Sequence, residues 1–191
     1  MKLKVIWFFL LCVATIWANP GDPTVLVKAK DKELQVLLRK STRSEKDVQK
    51  MKVLINNMFD FSLLAAKSVP TATWKDLSST QQNEFVSAFK QMVENSSVKQ
   101  LEVYRSDSTI YEKPKIRKNS AQVAAQVWYK GKASHLVYKF DLVDDQWRAW
   151  DLIIDDLSTA RNYREQFNSI LRTKSFDELL EIVQKKAAEI K

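Results

Sequence analysis

WRAWDLIIDDLSTARNYREQFNSIL, residues 147–171, changes its apolar period within a few residues. Trp150, Leu152 and Ile154 recur at every second position, which predicts a half-buried strand with those three inward and Asp151 pointing the other way. Beyond Leu157 the spacing is helical: Ala160, Tyr163 or Arg164, Phe167, Ile170 and Leu171 fall on one stripe. Asp155 and Asp156 stand at the changeover, and the expectation is a strand-to-helix corner. Carboxylates there would face the unsatisfied amides of the first helical turn, favourable by about 0.3–1 kcal/mol, with Asp156 or Ser158 as the cap. A cation site would need several converging oxygen ligands, which two adjacent acids alone do not supply.

The strand pattern extends upstream. Residues 101–111, 121–129 and 134–143 are rich in β-branched and aromatic side chains. Val123, Ala125, Val127 and Tyr129 share one face against Gln122 and Gln126; Leu136, Tyr138, Phe140 and Leu142 oppose His135, Lys139 and Asp141. The connections Lys130-Gly131-Lys132 and Asp144-Asp145-Gln146 are of hairpin length, so the expectation is a meandering, mostly antiparallel sheet of about four strands. Helices flank it. Residues 24–40 show loose helical spacing, Ser44 caps a second helix carrying Val48, Met51, Ile55 and Met58, and residues 60–69 form a short helix stopped by Pro70. After Trp74 and Leu77, Ser78 with Gln81 or Ser79 with Gln82 starts a helix bearing Phe85, Phe89, Met92 and Val93. The last helix opens at a Ser175–Glu178 capping box and turns Phe176, Leu179, Val183 and Ala187 inward. Helices, strands, then helices predict an α+β fold whose helices pack on a twisted sheet and leave a concave apolar interior.

Residues 1–18 read as a secretory signal: Lys2 and Lys4 precede an apolar run that is too short to span a bilayer, with Ala18 at the cut. Cys12 as a lipid-bearing residue is disfavoured by the bulk of Leu11 before it. Residues 19–191 are then one domain. Loss of the two leader lysines lowers the formal charge from +8 to +6, and loss of Cys12 leaves no thiol, so a buried core must hold the fold. Export without disulfides suits a bacterial periplasm. Asn95-Ser96-Ser97 is a glycosylation acceptor only in a eukaryotic secretory route.

Catalytic chemistry finds little support. With two glycines, Gly21 and Gly131, there is no glycine-rich phosphate loop. His135 is the sole histidine and lies on the polar face of its strand, so hydrolase triads and His/Cys zinc sites cannot be assembled. Asp107, Asp141, Asp151 and Asp155 leave a paired-carboxylate site open. Neither a catalytic residue, a metal ligand nor a cofactor is assigned. Lys113, Lys115, Arg117 and Lys118 around Pro114 read as a solvated loop, or as a dock for anionic headgroups or an acidic partner. Export and the lack of any binding motif argue against nucleic acid.

Trp147, Trp150-Asp151, Asp155-Asp156-Leu157-Ser158, Tyr163, Phe167, Leu171 and Phe176, preceded by Phe59-Asp60-Phe61, Trp74, Leu77, Phe85 and Phe89, come in an order that resembles the MlaC family. These are periplasmic phospholipid-binding components of a lipid-transport ABC system, and the resemblance covers nearly all of residues 19–191. The family usually has glycine where Asp156 stands and another in the loop before Trp74, here Val69-Pro70-Thr71. Periodicity does not distinguish a filled interior from a hollow one. The resemblance implies a cavity for acyl chains, and small residues at Ala65, Ala66, Ala121, Ala124 and Ala125 agree with it. The expected lining is Phe59, Phe61, Leu64, Phe85, Phe89, Met92, Val123, Ala125, Val127, Tyr129, Leu136, Tyr138, Phe140, Trp150, Leu152 and Ile154. The expectation is a soluble, monomeric, non-enzymatic carrier with transient membrane-surface contact, and the resemblance implies that it shuttles phospholipid between an outer-membrane lipoprotein complex and an inner-membrane ABC transporter. The alternative from the residues alone is an envelope interaction module with a filled core.

Overall fold

The structure, a computed structural model, describes residues 21–99 and 105–189. The predicted leader and residues 101–104 of the predicted first strand lie outside them. The described elements are α1 (Pro23–Leu38), α2 (Glu45–Asn56), α3 (Phe61–Ser68), α4 (Thr71–Asp76), α5 (Ser79–Lys99), β1 (Ser108–Tyr111), β2 (Lys115–Arg117), β3 (Ser120–Tyr129), β4 (Lys132–Val143), β5 (Gln146–Ile154), β6 (Leu157–Ser158), α6 (Thr159–Leu171) and α7 (Phe176–Glu189). Local chemistry sets the helix starts. Asp22 accepts from Thr24 N at 2.7 Å with Pro23 in the first turn, Asp60 accepts from Leu63 N at 2.9 Å, and Ser44 forms a capping box with Asp47. Of the two candidate boxes before α5, Ser78 with Gln81 is the one made. The Ser175–Glu178 box also closes, and Leu179, Val183 and Ala187 are buried. The short helix α4, which carries Trp74, is not evident from apolar spacing.

The sheet is antiparallel in the order β1-β3-β4-β5-β6, and β2 also pairs with β3. β1 and β2 are two pieces of one edge, interrupted around Pro114; the basic stretch read as a loop is therefore partly strand. Proline lacks the donor that a ladder needs, so it breaks the edge there. Three two-residue turns join the later strands: Lys130-Gly131, Asp144-Asp145 and Asp155-Asp156, all with φ between 46° and 74°. Positive φ at both residues is what tight hairpins of the strand-matching twist demand.

The third turn corrects the expected corner. Ile154 pairs with Leu157, so the acidic doublet turns a small hairpin, and its carboxylates do not cap α6. Ser158 alone is the cap, its Oγ accepting from Arg161 N at 3.1 Å. The register supplies a second correction. Lys139 pairs with Asp151 and Phe140 with Ala149, leaving Trp150 as the extra residue of a bulge. The bulge reverses parity along β5: Trp147 and Ala149 share a core cluster with Leu152 and Ile154, while Trp150 packs against a different cluster.

Three clusters make up the interior. One lies among α3, α5, α6 and α7, a second between α1 and the sheet, and a third between α1 and α2. Phe59 packs against all three. Its strand-like segment adds to the open edge of β5, with Asp60 N donating to Ala149 O at 2.7 Å. No helix among the described residues is long and apolar enough to cross a membrane.

Candidate functional site

Along α1, Val27, Asp31, Leu34, Gln35 and Leu38 fall at spacings of three and four and so occupy one face. That face packs against the sheet. Between them is a slit lined by Asp31, Leu34 and Gln35 of α1, Ile55 of α2, Met58, Phe59 and Ser106, and Thr109, Tyr111, Ala125, Val127, Leu136, Tyr138 and Leu152 of the sheet. The free space among these atoms, counting what opens to solvent, is about 600 Å³, yet only about 30 Å³ is wide enough for water. The slit is narrow along most of its length.

Polar groups are confined to one end. The Tyr111 phenol donates to Asp31 Oδ2 at 2.8 Å, Gln35 Nε2 donates to Asp31 Oδ1 at 3.0 Å, and Ser106 N donates to Gln35 Oε1 at 3.0 Å. This chain ties the middle of α1 to the edge strand. Burial foremost, then the Asp31 charge, raises the Tyr111 pKa well above its usual value, so the phenol remains a donor at physiological pH.

A larger open groove of about 780 Å³ lies beside the slit, but its walls mix Asp22, Asn56, Asn57, Asp60, Asp145 and Arg148 with apolar side chains. An apolar lining with few polar groups is the more ligand-like arrangement, so the slit is the better candidate.

The expected lining residues divide between two places. Phe59, Ala125, Val127, Leu136, Tyr138 and Leu152 line the slit, and Val123, Phe140 and Ile154 pack in the adjoining cluster. Tyr129 lies in a neighbouring groove, where its hydroxyl accepts from Arg105 Nη1 at 3.4 Å. Phe61, Leu64, Phe85, Phe89, Met92 and Trp150 belong instead to the helical cluster, where Phe85, Phe89, Tyr163 and Phe167 interlock with ring centroids 4.8–5.7 Å apart. Apolar pattern alone does not mark α1 as part of the wall; the signal is that Asp31 and Gln35 interrupt the buried stripe of an amphipathic helix, where polar groups need partners.

The carboxylates left open by the sequence have structural partners. Asp107 accepts from Lys130 N at 2.7 Å, Asp141 holds Lys67 at 2.8 Å and Trp150 Nε1 at 2.9 Å, and Asp155 accepts from His135 N at 2.8 Å. Asp151 accepts from Ala160 N at 3.0 Å and Ser158 Oγ at 2.7 Å. His135 and Glu112 face each other at 3.9 Å on the surface. Among the described residues no group of three or more His, Cys, Asp or Glu side chains is placed to hold a metal.

A family model described as MlaC protein matches residues 28–185. Among curated proteins no sequence matches. A solved structure described as the phospholipid-binding protein from Ralstonia solanacearum in complex with a phospholipid superposes with a TM-score of 0.74 at 18% identity, covering 89% of this chain and 99% of that one. At that identity the likeness establishes the fold.

Proposed function

Since the chain belongs to the MlaC family, we propose that it is a phospholipid carrier whose acyl chains lie between α1 and the concave face of the sheet. The observation that carries this reading is the slit itself: aliphatic and aromatic walls from α1, α2 and four strands, with polar groups gathered at one end. The solved phospholipid complex of the same fold supports it. The energetic logic is simple. Exposing two acyl chains of about 15 methylenes each to water costs on the order of 20 kcal/mol at about 0.8 per CH₂, so a lipid does not cross an aqueous compartment unaided. Sheathing the chains in apolar side chains removes most of that cost. Carrier and bilayer then offer similar surroundings, so direction comes from partners.

In the full reading, residues 1–18 direct export to the periplasm, and residues 19–191 form one lipid-binding domain without enzymatic activity. It takes lipid from an outer-membrane lipoprotein complex to an inner-membrane ABC transporter, or the reverse. A second reading draws on the closeness of the slit walls: a docking module with a filled core. Native mass spectrometry of the purified protein separates them, because a carrier retains phospholipid and a filled module does not. Ala125, 1% exposed, lines the slit. Ala125→Trp should reduce co-purifying lipid at least about tenfold while costing about 1–3 kcal/mol of stability through overpacking. A folded variant that keeps its lipid would place the chains elsewhere.

A further inference from the structure

The slit has a surface neighbour at each end. At one, Met58 and Phe59 are shared with the open groove, where Lys90 and Arg148 face Asp22, Asp60 and Asp145, two cations against three anions. At the other, Gln35 and Ser106 are shared with a groove of about 420 Å³ completed by Arg39, Arg105, Asp107 and Tyr129. The balance there is reversed. Two guanidinium groups line this groove against the single carboxylate of Asp107, which accepts from Lys130 N, and Lys130 Nζ lies 5.3 Å from the centre of the Tyr129 ring at its margin. The carbonyl end of α1 contributes roughly half a negative charge nearby, so Arg39 and Arg105 together still outweigh Asp107 and the helix end.

We propose that this second groove seats the phosphate of the lipid whose chains occupy the slit. Guanidinium groups present planar pairs of donors that match phosphate oxygens, and Arg39 is exposed at the end of the helix that roofs the slit. Arg105 reaches the Tyr129 hydroxyl as donor, so the phenol proton is directed elsewhere. The ligand is a phosphodiester on a two-chain lipid: chains pass beneath Leu34 and Gln35, and the headgroup emerges by Arg39. A basic patch at Lys115, Arg117 and Lys139 does not compete for this role. Lys115 and Arg117 are in register with Gln122 and Ser120, on the sheet face opposite Ala121 and Val123.

The assignment rests on the carrier reading, and the test separates the two. The full chain is incubated with vesicles holding equal amounts of phosphatidylglycerol and diacylglycerol of identical chains, repurified, and its lipid counted by mass spectrometry. The parent should prefer phosphatidylglycerol by about tenfold or more, the equivalent of one charge-assisted hydrogen bond. Arg39→Gln with Arg105→Gln should bring the ratio below about threefold, and Arg39→Glu alone, at an exposed position that folding tolerates, should also lower it. Unchanged ratios in both variants overturn the headgroup assignment and leave the carrier reading intact. So does binding of millimolar inorganic phosphate at these arginines with loaded phosphatidylglycerol left in place, which would mark a free-anion site. If the parent loads neither lipid, the carrier reading fails first.

Discussion

Asp151 is 1% exposed in the middle of β5, where a carboxylate needs several donors to be tolerated. It has them. Ala160 N and Ser158 Oγ bond its two oxygens, and Lys139 Nζ lies 3.6 Å away. A side chain in a strand thereby meets an orphan amide at the start of α6 and orients the serine that caps it. Asp151→Ala should cost about 2–4 kcal/mol in urea unfolding, because both donors and Lys139 lose a buried partner, and Asp151→Asn should recover part of that loss. Asp156 makes the opposite case. At φ 67° it holds a conformation natural to glycine, and its side chain has no structural task at the turn, where only its carbonyl accepts from Arg161 Nη2 at 2.7 Å. Relief of left-handed strain against the entropy of a new glycine predicts that Asp156→Gly stabilises by about 0.5–1 kcal/mol, seen as a raised urea midpoint.

At the scale of elements, caps do most of the local work. The α2 start is held by Ser44 and Asp47, and Lys40 reaches back to Asp47 Oδ1 at 2.6 Å. Hydrogen bonds from Lys40, then from Ser44, lower the Asp47 pKa to about 2. A folded-state pKa below the unfolded value means that the contribution is present above the unfolded pKa, about 4, and is lost as pH falls through about 2. The α2 N-terminus should therefore loosen between about pH 4 and pH 2, and a carboxyl NMR titration of Asp47 with a midpoint near 4 would contradict the box. The sheet follows the same economy of local signals. Three tight turns and alternating strands set the meander, and the proline-broken β1/β2 edge offers no long unpaired template for another chain.

At the scale of the whole molecule, the slit between α1 and the sheet is closed by side chains from its own walls, and its 30 Å³ of water-sized space cannot hold an acyl chain. On the proposed carrier reading, loading parts these walls, so that lipid would bind an opened form and stabilise it. Protein loaded with phospholipid should melt about 5–10 °C above protein stripped in detergent, by linkage at lipid well above its dissociation constant. Equal melting temperatures would count against occupancy of the core. Caps, the period of each segment and the α+β class are legible in the chain, because each depends on residues within one or two turns of one another. The order of motifs also carries the family. The bulge at Trp150 is not legible, since it arises only when β4 fixes the register of β5, and it alone decides which tryptophan faces which core. The division of the aromatics into two clusters is likewise set by packing, which is why Phe85 and Phe89 sit among helices while Ala125 and Tyr138 line the slit. Asp31 and Tyr111 meet across 80 residues of chain. Amino-acid order determined the elements and their amphipathic faces; only tertiary contact decided which faces meet and how much room lies between them, because short-range periodicity contains no term for distance between surfaces.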